Sequence, residues 1–430
     1  MECLEIKPSK NLKGVIEISG AKNSALPNIA ATILTDQPVI LNNIPDLLDV
    51  RYMISLLKSI GSNIDKIGEN SWAFSLKEPI TLEANYEIVE KMRASILVLG
   101  SMLSRFGEAK VALPGGCPIG LRPIDLHLKA LEKMGVKITK EHGFIVAKGK
   151  PKGAHIVFDK ITVTGTENIM MAAVLAEGET VIENAALEPE VVDLAILLQK
   201  MGADISWDWK NKSRTIRIRG VKKLKGTVHN IIPDRIEAGT FVVLSALTEA
   251  NVILKNYPYE LLTYVHYVLK NIGINVVQID KNSVIVKRRK ELKPAYIETK
   301  EYPYFPTDLQ AQFMTLLSVV DGLSIVKENI FENRFLHVPE LNRLGAKIEV
   351  SNNKVAVIDG VKKLTGAEVK ATDLRASAAM VIAGLIAEGR TIIHDIYHLD
   401  RGYENIDTKL KMIGAEIERK RITQSKVKTN

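Results

Sequence analysis

The 430-residue chain has two cysteines, Cys3 and Cys117. With one of them beside the terminus there is no disulfide framework, and nothing points to an oxidising compartment. No His or Cys pair has zinc spacing, so no structural metal is expected. No apolar run reaches the ~18 residues of a membrane helix, and the first residues, Met1 to Lys7, lack the hydrophobic core of a signal peptide. The expected location is the cytoplasm, with no membrane partner. Aromatic residues make up 5% of the chain, too few to supply stacking platforms for nucleic acid.

Acidic residues are missing from one stretch. Lys and Arg number 58 against 50 Asp and Glu, a net charge of +8. Residues 419–430 hold Arg419, Lys420, Arg421, Lys426 and Lys428 without an acid, which reads as a basic flexible tail. The run Lys287 to Lys293 has no interleaved aromatics and reads as a hairpin exit, not a nucleic-acid surface. The remaining positive charge suits an anionic small molecule.

Glycine and proline are concentrated between residues 111 and 127. A strand-like run, Val111 to Leu113, stops at Pro114, and Gly115, Gly116, Pro118, Gly120 and Pro123 then exclude both helix and ladder. This loop carries Cys117 and Arg122. A thiol between Gly116 and Pro118 is a poor core residue, and a nearby guanidinium would tune it. The segment therefore reads as chemistry beneath a moving loop.

The chain also repeats itself. Turns from helix to strand fall at Gly61, Gly135, Gly202, Gly273, Gly345 and Gly414, roughly every 70 residues, a period too long for a solenoid but suited to a βαβαββ unit. The helix opening each unit, such as Ala25 to Leu34, Ala238 to Leu247 or Ala376 to Ile386, is apolar nearly all round and should be buried on several sides. The second helices, such as Leu126 to Lys133, Val191 to Lys200 and Glu404 to Met412, carry charge on one side and should face solvent. Six units suggest two domains of three: residues 20–231 with the Cys117 loop, and residues 1–19 plus 232–430, with the active site between them. The lead Met1 to Ser19 is expected to be a strand joining one of the two.

Several motifs resemble the enolpyruvyl transferases over essentially the whole chain. They are Gly20 to Leu26, Met92 to Ser95, Pro114 to Cys117 continuing through Gly120 to His127, Pro306 to Gln310, Asp373 to Ala376, and Asp400 to Tyr403. The resemblance implies an α/β fold of two inside-out α/β barrel domains, each of three βαβαββ units. It also implies transfer of the enolpyruvyl group of phosphoenolpyruvate to the 3-hydroxyl of UDP-N-acetylglucosamine, the first committed step of peptidoglycan synthesis. No metal and no organic cofactor are implied.

Residue by residue, the resemblance implies a phosphoenolpyruvate clamp of Lys22, Arg93, Arg122 and Arg401, with Asn23 contacting the substrate hydroxyl and the intermediate. Arginine forks bind carboxylate and phosphate bidentately, whereas Lys22 is a point charge. Cys117 would be the general acid at carbon 3, since a thiol near its ~8.5 reference is mostly protonated at neutral pH. As an accessible nucleophile it also implies inactivation by fosfomycin. Asp308 would accept the hydroxyl proton, although alone it passes for a helix N-terminal acid. Pro123, Ile124, Asp125, Leu126 and His127 follow Arg122 in a strip implied to receive the uracil. Thr164 and Gly165 are implied at the diphosphate, and Ile330 at the nucleotide sugar. Arg334, Asp373, Leu374 and Arg375 are implied in support. The 3-phosphoshikimate enolpyruvyl transferases are a rival within the fold, but they lack the cysteine loop and carry a Ser-Lys-Ser type sequence where Ala21, Lys22 and Asn23 stand. An RNA-processing protein would need a histidine nucleophile in a suitable motif and stacking aromatics.

Overall fold

The computed structural model describes residues 2–113 and 124–421. Among them are six four-stranded sheets. One unit shows how each is made. Strand His155–Val157 passes through helix Val163–Ala173 to the parallel strand Glu179–Glu183, as a crossover connection requires. Helix Pro189–Lys200 follows, and the hairpin of Asp204–Trp207 and Ile216–Arg219 completes the sheet, its second strand lying antiparallel to Glu179–Glu183. The same order recurs with Leu323–Lys327 and with Glu108–Ala112 as the second strand. The six-unit α/β architecture is the one the repeats imply.

The opening helices are buried as their composition predicts. Every residue of Arg235–Leu247 is buried, and so is all of Lys22–Ala31 except Asn23. The outer helix Leu48–Ile60 buries one face only, but the expected solvent-facing helix at Val191 to Lys200 does not hold to that pattern, since within Pro189–Lys200 only Lys200 is exposed. The six turn glycines adopt left-handed conformations, with φ between 82° and 115°, where a side chain strains the backbone. At Gly414 an added Cβ would meet nothing within 4 Å, so backbone strain alone is at stake. Gly414→Ala is expected to cost about 1–2 kcal/mol, read from urea unfolding midpoints.

Buried side chains form two cores, one drawn from Ala25 to Ile231, the other from Leu4 to Ile18 with Ile236 to Ile417. The chain passes between them twice, and the crossing segments hold each other. Gly20 bridges Pro233 antiparallel, Ala21 N–H donates to Ile232 O at 2.7 Å, and Asp234 N–H donates to Ser19 O at 2.8 Å. A Cβ on Gly20 would lie 1.8 Å from Asn43 O, so only glycine fits that approach. Each crossing leads at once into an inner helix, Lys22–Ala31 or Arg235–Leu247.

Two terminal expectations are corrected. The lead is two strands in two different sheets: Glu2–Ile6 pairs with Thr391–His394 and Ile417–Arg421, and Lys13–Glu17 pairs with Asn251–Lys255. Residues 419–421 are no part of a tail but belong to strand Ile417–Arg421, in register with Glu2, Cys3 and Leu4. Their charges are met by acids from elsewhere in the fold. Arg419 makes two bonds to Asp400, of 2.9 and 2.7 Å, and Lys420 lies 2.9 Å from Glu5. Residues 422–430 lie outside the described residues.

Candidate active site

Lys22 is the first residue of its helix and leaves the crossing segment into a buried setting. Its Nζ lies 3.3 Å from Asp49 Oδ2, while Arg401 Nε, from the other core, donates to Asp49 Oδ1 at 2.8 Å. One buried carboxylate thus joins a lysine and an arginine that are far apart in the chain. Burial pushes the Lys22 ammonium below its usual range; Asp49 opposes that shift, and Arg375 and Arg401 add to it.

Asp308 lies in the short turn Thr307–Leu309, before helix Gln310–Leu317. Its local sequence suggests an acid placed for the helix dipole, but its oxygens are committed elsewhere. Arg334 Nη2 donates to Oδ1 at 3.0 Å, and Arg375 Nε donates to Oδ2 at 3.1 Å. Burial raises the Asp308 pKa, but Arg375, Arg334 and Lys22 together outweigh it and hold the carboxyl well below its usual range. Arg375 is fully buried, with its guanidinium 5.4 Å above the Tyr403 ring. Lys22 and Arg401 thus share Asp49, and Arg334 and Arg375 share Asp308. Cations gathered in this way suit an anionic ligand.

The strip residues also meet. His127 is buried on helix Asp125–Lys133, and Thr164 is in the first turn of Val163–Ala173. His127 Nε2 is 3.2 Å from Thr164 Oγ1, and Asn168 Nδ2 is 3.1 Å from His127 Nδ1. The amide of Asn168 donates, so Nδ1 accepts and Nε2 carries the proton. Burial, helped by Arg93, lowers the His127 pKa to about 3, and the ring is neutral. Asp125 is exposed, Leu126 half-buried and Ile124 buried. Gly165 N–H donates to Thr162 Oγ1 at 3.2 Å, a capping bond within the same turn.

Asp373 caps helix Leu374–Ile386, its Oδ1 accepting from the N–H groups of Arg375 and Ala376. Leu374 packs against Gly402, where an added Cβ would come within 2.5 Å of Leu374 Cδ1. That contact ties the neighbours of Arg375 and Arg401 together. Ile330 and Asn23 are half-buried, and Ile330 N–H donates to Glu328 Oε1 at 2.8 Å. Cys117, Arg122 and Pro123 lie outside the described residues.

Sequence reasoning missed Asp49, which resembles any acid at a helix start, and Asn168, which fixes the His127 tautomer. It also missed the ion pair of Arg235 with Glu190, whose nitrogens and oxygens are 2.9 and 3.3 Å apart. Beside that pair, Glu188 Oε1 accepts Tyr302 N–H at 3.3 Å. Burial raises the Glu188 carboxyl, with Arg235 opposing. Glu167 nearby is raised well above its usual value by burial and by its acidic neighbours Glu190 and Glu188. Among the described residues no group of three or more His, Cys, Asp or Glu could hold a metal ion, and no helix is long and apolar enough to cross a membrane.

The profile of the family described as EPSP synthase (3-phosphoshikimate 1-carboxyvinyltransferase) matches residues 6–410. The chain is 50% identical over 426 residues to UDP-N-acetylglucosamine 1-carboxyvinyltransferase of Koribacter versatilis, covering 97% of this chain and 96% of the relative. It is 51% identical over 418 residues to UDP-N-acetylglucosamine 1-carboxyvinyltransferase 1 of Caldanaerobacter subterraneus subsp. tengcongensis, covering 96% and 99%. Among solved structures, the enolpyruvyl transferase NikO from Streptomyces tendae superposes with a TM-score of 0.87 at 23% identity, covering 97% of this chain and 98% of that one. EPSP synthase from Acinetobacter baumannii does so with a TM-score of 0.75 at 19% identity, covering 98% and 100%. At those identities the two structures speak for the fold alone.

Proposed function

We infer that this chain, which belongs to the enolpyruvyl transferase family, transfers the enolpyruvyl group of phosphoenolpyruvate to the 3-hydroxyl of UDP-N-acetylglucosamine and releases phosphate. The product enters peptidoglycan synthesis, and through it cell-wall growth and division. The observation that carries the acceptor is identity of about half, over nearly the full length of both chains, to relatives named for that sugar nucleotide. The shared carboxylate of Lys22 and Arg401 supports the donor, because it holds two cations from two cores where one trianionic substrate would lie.

The proposed roles follow from residue chemistry. Lys22 and Arg401, with Arg93 and Arg122, grip the phosphate and carboxylate of phosphoenolpyruvate. The sugar oxygen attacks carbon 2 and gives its proton to Asp308, while Cys117 protonates carbon 3. A tetrahedral ketal results. Loss of a proton from carbon 3 and of phosphate from carbon 2 then restores the double bond. Asn23 holds the attacking hydroxyl. The strip Pro123 to His127, with Thr164, Gly165 and Ile330, receives the nucleotide, and Arg334, Asp373, Leu374 and Arg375 brace Asp308 and the approach of the two cores. On this reading residues 20–231 and 1–19 plus 232–430 are the domains that close on the substrates. The proposed setting is the cytoplasm, since both substrates are multiply charged and do not cross membranes unaided.

Phosphate release from phosphoenolpyruvate tests the function. Turnover is expected with UDP-N-acetylglucosamine and not with shikimate 3-phosphate as acceptor. Turnover with shikimate 3-phosphate alone would sink the reading.

A further inference from the structure

The helix that carries Lys22 and Asn23 is poorly secured by its own sequence. Its N-cap residue, Ala21, makes no side-chain capping bond, and Pro27 lies within the helix. Proline has no N–H, so the bond that would reach back to the Asn23 carbonyl is missing. The crossing segments hold its entry, with Lys22 N–H donating to Asp234 Oδ2 at 3.4 Å, and something beyond them must fix the rest of the first turn.

A buried chain of polar groups does so. Ser24 Oγ donates to Asp193 Oδ2, and Asn28 Nδ2 lies 3.1 Å from the same oxygen. The other oxygen, Asp193 Oδ1, is 3.0 Å from His229 Nε2, and His229 Nδ1 is 3.2 Å from Lys200 Nζ. An ammonium only donates, so Nδ1 accepts and Nε2–H points at Asp193. Asp193 and His229 are each 3% exposed, while Lys200 reaches solvent. A carboxylate in that position is costly unless paired and hydrogen-bonded, and replacing such groups by apolar ones is often neutral for stability. The arrangement is therefore better explained by geometry than by stability.

We propose that His229 is a positioning residue for the reaction, acting through Asp193 and Ser24 to set the first turn that aims Lys22 and Asn23. The imidazole links Lys200 to Asp193 through its two ring nitrogens. Losing that link frees Asp193 to rotate, and the turn bearing Lys22 follows Ser24. This inference rests on the function proposed above.

Steady-state kinetics on the full-length chain test it, with three variants and both substrates. His229→Leu removes the link, Ser24→Ala cuts it at the helix, and His229→Gln preserves it, since the amide accepts from Lys200 and donates to Asp193. In His229→Leu and Ser24→Ala the KM for phosphoenolpyruvate should rise about tenfold or more, while the dissociation constant for UDP-N-acetylglucosamine moves less than about twofold. His229→Gln should return the KM to within about threefold of wild type. Should His229→Leu fail to fold, Ser24→Ala and His229→Gln still decide the matter. An unchanged KM for phosphoenolpyruvate in Ser24→Ala, or a His229→Leu defect confined to thermal stability, overturns the positioning role. A wild type that releases no phosphate with the nucleotide sugar overturns the underlying function instead.

Discussion

Replacing Asp308 with asparagine is expected to lower kcat by a factor of about 10²–10⁴, with kcat/KM falling alongside it. Asparagine keeps the shape and one acceptor oxygen, so Arg334 and Arg375 retain a partial partner while the proton acceptor is lost. The stability cost should therefore be about 1–3 kcal/mol, well short of unfolding. A carboxyl held below its usual range by three cations is a weak base toward a free hydroxyl. It becomes an adequate one when the sugar oxygen begins to bond to carbon 2 and its proton turns acidic. Asp308 is thus suited to a transition-state role, and parallel losses in kcat and kcat/KM are the kinetic mark of one.

The pH dependence carries a definite sign. The folded-state pKa of Asp308 is depressed, so its contribution to stability is fully present above the unfolded value of ~3.9 and is lost as pH falls through the folded value. The gap in unfolding free energy between wild type and Asp308→Asn should therefore be flat near neutrality and shrink below about pH 4. Urea titrations across that range would show it. A gap that widens in acid would mean the guanidinium partners are not what holds Asp308 ionised.

How much of this was legible in the sequence depends on the distance over which each feature is written. The helix-to-strand turns could be read because a glycine after an apolar helix is a local signal, and each of the six has the left-handed backbone it implies. Inner helices could be read for the same reason, since a helix without a charged face has to be buried. Asp308 was found through its motif, but its partners were not. Arg375 is 67 residues away and Arg334 is 26, and local sequence offered only the helix dipole. Residues 419–421 were misread as a tail because the acids that meet their charges, Glu2, Glu5 and Asp400, come from elsewhere in the fold. A lack of acids along the chain says nothing about acids across a sheet.

Asp49 shows the same limit and yields the other large prediction. It is 352 residues from Arg401, so no window of sequence could pair them. Asp49→Ala is expected to raise the KM for phosphoenolpyruvate about 10- to 100-fold, and two opposing effects must be weighed to reach that sign. Asp49 neutralises part of the charge that draws the anion, which argues for tighter binding once it is gone. Against this, it is the group that holds Lys22 and Arg401 together, and without it two cations from different cores repel across a buried gap. Pre-organisation should win, because the bond from Arg401 Nε fixes the plane of the guanidinium, and without Asp49 the substrate itself would have to bring the two cations together. Asp49 also opposes the effect of burial on Lys22. In the variant the ammonium should lose its proton more readily, and the alkaline limb of kcat/KM for phosphoenolpyruvate should move to lower pH. The stability deficit has a matching sign: two cations left without their acid are most costly while Lys22 is charged. The deficit should therefore be full at low pH and ease as pH rises from the variant's further-lowered Lys22 value to the wild type's lowered one, both below the ~10.4 reference. A variant that binds phosphoenolpyruvate more tightly than wild type, with its alkaline limb unmoved, would show that Asp49 competes with the substrate and does not prepare its site.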